Sequence, residues 1–516
     1  MTSRNLLVIL GCAGGWFGFA NPLVHIPPAV ALFPASLFLL GRQSRTRLQA
    51  AKLGWLAGTL TFCLCLYWIV FPVHNFGPLP WILALPCPIL ISMVLGLYSG
   101  AFAIGAHFAA HTFSWPLQGL FCGLLWACLE LIRSILFTGF PWLTLSQALT
   151  PFPVWLQAAS LVGAFGLSGL LVAISVWAVH TARSKWALAL AATGALTLVL
   201  FGLNALKQGP RRGDSNLQAV IVQGNIDQNR KWNPAYQNST LETYLQLSRK
   251  ALQAGPLELL IWPETALPFY LQDDGPLQDK VLEFCKTNQV SLLTGAPAYS
   301  RRSPGDIAYF NRTYLIDDSG AIVDHYDKAH LVPFGEYVPF RRFLPWIGNL
   351  VAQVADFTPG RSSAPLTQDS LALGVLICYE IIFPDLVQSR VEAGANLLIN
   401  QSNDAWFGNS SAPEQHLHLA ALRAVEQRRT ILRATNTGIS AVIDPLGRIQ
   451  KRTGLFVPAT LAPESVLTVT QRTLYSRHSQ KLHLAFFMLT GLMIGYGLWT
   501  RKKSPSHKPD NQAAQP

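Results

Sequence analysis

Charged residues are distributed unevenly along the 516-residue chain, and this distribution constrains its fold more than any other feature. Residues 1–206 contain eight Lys or Arg and a single acid, Glu130, whereas the rest of the 39 basic and 27 acidic residues lie beyond position 206. Charged residues make up 13% of the chain, against ~25% in an average soluble protein. The sequence therefore predicts a mostly ordered chain with a membrane domain in residues 1–206 and a normally charged domain in residues 207–480.

Eight apolar runs are candidates for membrane-spanning helices, which need about 20 residues each. They are residues 6–19, 27–40, 53–71, 81–104, 119–137, 156–179, 186–206 and 484–500, of which the first two are short. Lys and Arg concentrate between the second and third runs, between the sixth and seventh, and after the eighth, as is typical of cytoplasmic loops. The pattern predicts eight spans, the last within residues 481–503, and residues 207–480 outside the cytoplasm.

These basic loops account for much of the net charge of +12, which therefore gives no indication of nucleic acid as a partner. The tail at residues 504–516 is rich in Pro, Gln and Asn, and it is predicted to be disordered and cytoplasmic. Glu130 and Arg133 lie three residues apart on one predicted span and share a helix face. They form either a functional site within the membrane or a structural pair near the helix end.

Short apolar strands alternate with amphipathic helices between residues 217 and 444. The predicted strands are residues 217–225, 258–262, 290–295, 309–316, 372–378, 395–400 and 440–444. The predicted helices are residues 241–254, 278–288, 384–394 and 413–429. This order predicts an α/β sandwich with buried strands and with functional residues at strand ends.

Three reactive side chains lie at strand ends or in a dense loop of this α/β domain. Glu264 follows a strand and could be a general base or only a capping or salt-bridging residue. Lys328 begins an aromatic and proline-rich run that continues to position 339, and it could stabilise an oxyanion or simply be solvated. Cys378 ends an apolar strand and is followed by Tyr379 and Glu380, although buried cysteines are commonly inert. Taken singly, each of these residues leaves both interpretations open.

The remaining cysteines and histidines indicate neither disulfides nor a metal site. Six of the eight cysteines lie within apolar runs, and Cys285 lies on a predicted helix face as a core residue. His416 and His418 are two residues apart on a predicted helix and therefore face different directions. The sequence predicts no metal and no cofactor.

The chain order Glu264, Lys328, Cys378 resembles the Glu-Lys-Cys triad of the nitrilase, or carbon-nitrogen hydrolase, superfamily over about residues 217–470. The further matching segments are Gln223-Gly224-Asn225-Ile226, Lys231-Trp232, Ile377-Cys378-Tyr379-Glu380, Ser402-Asn403-Asp404-Ala405-Trp406-Phe407-Gly408, Gln415-His416-Leu417 and the run from Arg433 to Ser440. With its flanking spans, the whole chain resembles the bacterial family of apolipoprotein N-acyltransferases. One departure is Thr430, where many relatives are expected to carry Pro, and it leaves the triad unchanged.

The resemblance implies a nitrilase-like α-β-β-α sandwich joined to an α-helical membrane bundle. It implies a ping-pong acyl transfer in which Glu264 takes the proton of Cys378 and Lys328 stabilises the oxyanion. A membrane phospholipid would donate an acyl chain through a Cys378 thioester, and the diacylglyceryl-cysteine of an apolipoprotein would accept it. The protein would act as a monomer in the bacterial inner membrane, with its catalytic domain facing the periplasm.

The resemblance also implies four accessory residues. Glu336 and Glu380 would support the site or its oxyanion side, and Tyr379 would help to place the nucleophile. Trp232 would lie on a mobile loop near the lipid entrance, and an interfacial aromatic anchor is the alternative for this residue.

Two other functions remain open from the sequence. A membrane-anchored amidase with the same triad would use water as its acceptor and would not need eight spans. A transporter or receptor with a ligand-binding outer domain would have polar or broken spans along a pathway, and Glu130 with Arg133 gives little support for one.

Overall fold

The computed structural model describes residues 3–77, 80–209, 216–303, 306–337, 356–463 and 466–503. The predicted tail at residues 504–516 and the end of the aromatic run at residues 338–339 lie outside the described residues. The described residues form a helical bundle, an α/β sandwich and a last helix that returns to pack on the bundle.

The bundle is built from apolar helices, which satisfy their backbone groups internally, as lipid requires. Its helices approach closely through small residues: a Cβ atom at Gly58 would lie 2.4 Å from Ser99, and one at Gly96 would lie 2.3 Å from Thr59. Such contacts hold membrane helices together by close packing. The long helices are Ser3–Gly18, Leu32–Gln43, Arg47–Cys65, Pro86–Ala110, Trp115–Ile135, Ala159–Val179, Lys185–Gln208 and, at the other end of the chain, Leu474–Lys503. Short helical turns between them are Pro27–Ala31, Tyr67–Ile69, Val70–Asn75, Trp81–Ala84, Leu136–Thr138, Leu145–Leu149 and Pro153–Leu156.

Six helices among the described residues are long and apolar enough to cross a bilayer. They are Arg47–Cys65, Trp81–Ala110, Trp115–Thr138, Ala159–Val179, Lys185–Gln208 and Leu474–Lys502, and they correspond to six of the eight predicted spans. The other two predicted spans contain helices of 16 and 12 residues. Such helices are about 24 Å and 18 Å long, shorter than the ~30 Å hydrocarbon core of a bilayer. The count of eight spans is therefore not confirmed and stays a prediction.

The α/β part contains two six-stranded mixed sheets. Sheet I has the strand order Ala459–Leu461, Ala219–Gln223, Leu259–Ile261, Ser291–Ser303, Asp306–Ile316 and Ile322–Asp327. Sheet II has the order Ile449–Arg452, Ala441–Ile443, Ile431–Thr435, Leu397–Ser402, Leu371–Ile377 and Leu366–Gln368. A separate two-residue pair joins Asn216–Leu217 to Val466–Leu467.

In each sheet three neighbouring strands run parallel, and the remaining strands are antiparallel. Glu264 follows the parallel strand Leu259–Ile261, and Cys378 follows the parallel strand Leu371–Ile377. Both residues therefore lie at the carboxyl ends of parallel strands, where open α/β sheets place their functional groups.

Every predicted strand overlaps an observed one, but the inner strand Ile431–Thr435 of sheet II and the strands at the four sheet edges were not among the predicted strands. These edge strands are Ala459–Leu461, Ile322–Asp327, Ile449–Arg452 and Leu366–Gln368. All are short, and two of the four, Ile322–Asp327 and Ile449–Arg452, carry charged side chains, as is usual for edge strands that must not pair with other chains. The edge strands therefore lack the apolar runs by which the other inner strands were recognised, and Arg433 interrupts the apolar run of Ile431–Thr435.

Successive side chains of a strand point to opposite faces of its sheet, so the two sheets contribute to three separate layers of hydrophobic core. Val220 and Val222 of sheet I pack against the helices Gln237–Leu252 and Pro276–Asn288, whereas Ile221 packs between the two sheets. On the other side, sheet II packs against the helices Pro384–Glu392 and Ala412–Gln427 through residues that include Leu376, Leu398, Val387 and Leu417. The predicted α-β-β-α sandwich is confirmed. Short turns before the helix Gln237–Leu252 and after the strands of sheet II are Gln228–Lys231, Pro234–Tyr236, Cys378–Ile382 and Asp404–Phe407.

The helix Ala412–Gln427 joins the sandwich to the membrane bundle. All its described side chains except that of Glu414 are buried, and its apolar residues share one core with bundle residues such as Trp142 and Leu145. Cys285 lies in the outer core beside Val281 and Phe284, as predicted.

Candidate active site

Glu264 is presented by a tight backbone turn at the end of its strand. The next residue, Thr265, has a φ of 47°, and a Cβ atom at Gly295 would lie only 2.4 Å from the Thr265 nitrogen. The Glu264 side chain is buried, and its Oε1 accepts a hydrogen bond of 2.7 Å from the Asn311 amide. The carboxylate is therefore held in one orientation inside the sandwich.

Lys328 follows the edge strand of sheet I and is almost completely buried. Its Nζ atom lies 3.5 Å from Oε1 of Glu264 and 2.9 Å from the carboxylate of Glu336. Burial alone would lower the pKa of Lys328, but the charges of Glu336 and Glu264 raise it above its ordinary value. The ammonium is therefore a permanent positive charge at this site.

Cys378 lies in a strained turn at the end of its strand in sheet II. Its φ is 52°, a left-handed value that is unfavourable for a residue with a side chain, and only 8% of the residue is exposed. Burial and the charge of Glu264 raise the pKa of Cys378 to about 12, whereas the charge of Lys328 and a hydrogen bond between the side chains of Cys378 and Ser402 oppose this rise. The thiol is therefore protonated at neutral pH and needs a base to become a nucleophile. The structure brings Glu264 and Lys328 into contact, and the charges of both act on Cys378.

Glu336 and Glu380 are both fixed by several hydrogen bonds, but at different places. Besides Lys328, Glu336 accepts bonds from the Asn311 amide and the backbone N–H of Val332, each 2.9 Å long. Glu380 is fully buried. It accepts the backbone N–H groups of Ala329 (2.7 Å), His330 (3.0 Å) and Ile377 (2.7 Å) and the hydroxyl of Tyr326 (2.7 Å). Glu336 thus neutralises the lysine, whereas Glu380 joins the loop after Lys328 to the turn of Cys378.

Tyr379 and Trp232 lie at the borders of this site. The Tyr379 hydroxyl donates to the carbonyl of Gly139 in the membrane domain at 3.3 Å, and its ring packs on Phe383 with centroids 5.0 Å apart. Trp232 is 48% exposed and lines an outer cavity of about 380 Å³ with Phe269, Tyr270 and other residues. The lining of that cavity contains none of the three triad residues.

Asn311 is a site residue that the sequence analysis missed. Its amide donates to both Glu264 and Glu336, and its backbone carbonyl accepts the N–H of Lys328 at 2.9 Å. It lies in the middle of the strand Asp306–Ile316. The available signal was an Asn within the predicted strand at residues 309–316, which does not by itself separate a catalytic role from a structural one.

A second missed group is the buried polar cluster beside Cys378. The carboxylate of Asp404 accepts bonds from Arg433 (2.7 Å), Ser402 (2.7 Å) and His416, whose Nδ1 lies 3.2 Å away. Burial would raise the pKa of Asp404, but the charge of Arg433 lowers it below its ordinary range. His418 instead points to Glu414, at 3.3 Å, so the two histidines face different directions as predicted.

Comparisons with known proteins show the family to which the chain belongs. The model of the apolipoprotein N-acyltransferase N-terminal domain matches residues 13–177, and the carbon-nitrogen hydrolase model matches residues 218–473. An apolipoprotein N-acyltransferase from Geobacter metallireducens is 35% identical, over 95% of this chain and 94% of its own length. Another, from Nitrosomonas europaea, is 35% identical over 86% of this chain and 87% of its own length. The chain belongs to the apolipoprotein N-acyltransferase family. The resemblance drawn from the triad and the spans is thus confirmed.

Among solved structures, a mutant of the Nesterenkonia AN1 amidase, from the nitrilase superfamily, aligns with a TM-score of 0.39 and 19% identity. The alignment covers 54% of this chain and 98% of the amidase.

In this apolipoprotein N-acyltransferase family member, Gln415 connects the sandwich to three bundle segments. Its Oε1 accepts the indole N–H groups of Trp68 (3.1 Å) and Trp142 (2.8 Å). Its Nε2 donates to the carbonyl groups of Ala20 (2.9 Å) and Cys65 (3.2 Å). One buried amide thus fixes the helix Ala412–Gln427 to the bundle.

Glu130 and Arg133 form hydrogen bonds inside the helical bundle. Glu130 accepts the indole N–H of Trp126 (2.8 Å) and the backbone N–H of Leu145 (3.0 Å), and Arg133 donates to the carbonyl of Leu143 (3.3 Å). Both residues are buried and hold the segment after their helix, which favours the structural interpretation over a transport pathway.

Proposed function

We propose that this protein transfers an acyl chain from a membrane phospholipid, through a thioester on Cys378, to the α-amine of the diacylglyceryl-cysteine of an apolipoprotein. The proposal depends mainly on the contact of 3.5 Å between Lys328 Nζ and Glu264 Oε1. The charges of both residues affect the pKa of the buried Cys378 thiol. Family membership supports the lipoprotein as substrate, because the relatives are named for that acceptor.

In the first half of the reaction, Glu264 accepts the proton of the Cys378 thiol as the sulfur attacks the ester carbonyl carbon. Lys328 stabilises the negative oxygen of the tetrahedral intermediate. The intermediate collapses by breaking the bond from the carbonyl carbon to the glycerol oxygen, which takes the proton back from Glu264. A lysophospholipid leaves, and the acyl chain stays on Cys378 as a thioester.

In the second half, the unprotonated α-amine of the apolipoprotein attacks the thioester carbonyl. Glu264 takes a proton from the attacking nitrogen, Lys328 again stabilises the oxyanion, and the sulfur of Cys378 leaves and regains that proton. The products are an amide and the free enzyme, so phospholipid and amine give lysophospholipid and amide with no other reactant. A thioester is reactive enough to acylate an amine without a further energy source.

We also propose that the protein lies in the bacterial inner membrane with its sandwich on the periplasmic side. Arg42 and Arg45 lie at the end of the helix Leu32–Gln43 and in the connection that follows it, and Arg47 begins the helix Arg47–Cys65. Cys65, at the other end of that helix, contacts Gln415 of the sandwich. Basic residues favour the cytoplasmic end of a span. The sandwich would therefore lie at the opposite surface, where its site meets lipid.

The accessory roles complete the proposal. Glu336 keeps the buried Lys328 charge balanced, Glu380 sets the distance between the lysine loop and the nucleophile turn, and Tyr379 helps to place that turn. Trp232, half exposed, would contact the incoming substrates. The proposed functional unit is a monomer, which the molar mass of the detergent-solubilised protein would test.

The proposal is tested by intact-mass measurement after incubation with vesicles of a phosphatidylethanolamine that carries acyl chains of one known length. The wild type should gain the mass of one acyl chain, Cys285→Ala should gain the same mass, and Cys378→Ala should gain none. Addition of a synthetic diacylated lipopeptide should then remove the adduct and yield a triacylated peptide.

An amidase is the second candidate, favoured by the match of the carbon-nitrogen hydrolase model to residues 218–473. It predicts that the wild type hydrolyses small amides and gains no acyl chain from the vesicles. That result would overturn the acyltransferase proposal.

A further inference from the structure

Lys231 is a buried cation that the proposed reaction does not use. Its side chain is 1% exposed, and its Nζ atom donates to neutral oxygens, at 2.6 Å to the hydroxyl of Thr265 and at 3.5 Å to the backbone carbonyl of Glu264. Burial lowers the pKa of Lys231 to about 8, and the charge of Glu264 opposes this shift. The side chain therefore remains a donor at neutral pH, whether or not it carries the third proton.

The two oxygens that Lys231 holds belong to the turn that presents Glu264. Thr265 adopts a left-handed φ of 47°, and the backbone of Gly295 approaches its nitrogen closely. A strained turn of this kind persists only where surrounding contacts fix it. The Lys231 bonds lie on the side chain and carbonyl of the turn, so they brace it independently of the Asn311 bond to the carboxylate.

Lys231 also stands next to the exposed aromatic residue at the border of the site. It ends the short helix Gln228–Lys231, and its ammonium lies 5.9 Å from the ring centroid of the following Trp232. Two consecutive residues of this segment therefore have different contacts: Lys231 holds the turn of Glu264, and the exposed indole of Trp232 is proposed to contact substrate.

We propose that Lys231 is a positioning residue: by holding Thr265 and the carbonyl of Glu264, it keeps the Glu264 carboxylate within reach of the Cys378 thiol. This inference rests on the proposed acyl transfer for its biological meaning. It does not rest on the identity of the acyl donor, because any ester that acylates Cys378 needs the same proton transfer.

The test uses the full chain in detergent with p-nitrophenyl butyrate, whose release of p-nitrophenol reports acylation of Cys378 without phospholipid. Lys231→Met, which keeps the length of the side chain but removes its donors, is expected to lower the acylation rate constant at least 10-fold with KM changed less than twofold. Thr265→Val, which removes the acceptor, should lower the rate constant in the same way. Because both changes remove the same hydrogen bond between Lys231 and Thr265, the double variant should acylate no more slowly than Lys231→Met alone.

Lys250→Met, on the exposed face of the helix Gln237–Leu252, is the matched control and should acylate as the wild type does. Acylation rate constants within twofold of wild type in both single variants would overturn the inference. So would a rise in KM at an unchanged rate constant, or multiplied losses in the double variant. A wild type that reacts with p-nitrophenyl butyrate but not with phospholipid vesicles would refute the proposed donor and still leave Lys231 testable.

Discussion

The carboxylate of Glu380 accepts a hydrogen bond from the backbone N–H of Ala329, with 2.7 Å between the two atoms. Ala329 follows Lys328, and Glu380 lies two residues after Cys378, so this bond joins the segments that carry two members of the triad. The other oxygen of the same carboxylate accepts the N–H of Ile377, which precedes Cys378. The separation of ammonium and thiol thus depends on one buried side chain from outside the triad.

Glu380→Gln is expected to lower both the stability of the protein and the rate of Cys378 acylation. An amide in place of the carboxylate directs an NH2 group at backbone N–H donors, and each buried donor left without an acceptor costs about 1–3 kcal/mol. A Tm lower by about 2–6 °C should accompany the loss, measured by thermal unfolding in detergent. Glu242→Gln, which removes the charge of an exposed ion pair with Lys280, should melt like the wild type. Normal melting and acylation in Glu380→Gln would show that this carboxylate does not hold the site.

Glu264→Gln is expected to make Cys378 more reactive towards iodoacetamide while abolishing acyl transfer. The charge of Glu264 contributes to raising the pKa of Cys378 to about 12, so its removal lowers that pKa and increases the thiolate fraction at any fixed pH below it. Acyl transfer should nevertheless fall about 100-fold or more, because the thiol proton loses its acceptor. Peptide mass mapping between pH 7 and pH 9 measures the alkylation, with buried Cys285 as internal reference. Slower alkylation of Cys378 in this variant would contradict the assignment of charges.

Lys328→Met should shift Cys378 in the opposite direction. The lysine charge lowers the pKa of the thiol, so its loss raises that pKa further and slows alkylation at fixed pH. Acylation by phospholipid should fall about 100- to 1000-fold, because the oxyanion loses its charged donor. The exposed Lys250→Met is the control for both measurements. If alkylation became faster in Lys328→Met, the lysine could not be the positive charge that the thiol senses.

Part of this site could be predicted from the sequence, because three of its residues lie in recognisable local sequence patterns. Glu264 and Cys378 each follow an apolar strand, and Lys328 lies in a run too aromatic for an ordinary surface loop, so their chain order was readable. From the sequence, Asn311 was not recognisable as a hydrogen-bond partner of Glu264, nor Gln415 as a link between the sandwich and the bundle. Each acts across a long stretch of chain, from position 311 to position 264 and from position 415 to positions 68 and 142, and nothing local records such contacts.

The edge strands and the span count show the same limit for the fold. Most inner strands contain an apolar run that predicts them, whereas the edge strand Ile449–Arg452 is mostly polar and is fixed by pairing with Ala441–Ile443. An apolar run likewise predicts a helix in lipid without fixing its length, and residues 27–40 are divided between the turn Pro27–Ala31 and the helix Leu32–Gln43.

Gln415→Leu is expected to loosen the sandwich from the bundle. The change leaves the indole N–H groups of Trp68 and Trp142 buried without their acceptor, at a cost of about 1–3 kcal/mol each. A lower Tm and faster cleavage by a protease between the two parts should follow. Gln246→Leu, on the exposed face of the helix Gln237–Leu252, provides the control. Unchanged melting and proteolysis would mean that apolar packing alone fixes the two parts together.

Tyr379→Phe and Tyr379→Ala are expected to differ strongly in Tm and in acylation rate, because the ring and the hydroxyl of Tyr379 make different contacts. The hydroxyl makes a long hydrogen bond of 3.3 Å to the carbonyl of Gly139, so its removal should slow acylation of Cys378 by only about 2- to 10-fold. The ring packs on Phe383 directly after the nucleophile turn, and its truncation to Ala opens a cavity that costs about 3–5 kcal/mol. Tyr379→Ala should therefore lower both the Tm and the acylation rate constant, whereas Tyr379→Phe should keep the wild-type Tm. Equal losses of rate in the two variants, with the Tm of Tyr379→Phe unchanged, would instead place the hydroxyl in the chemistry and remove packing as the explanation.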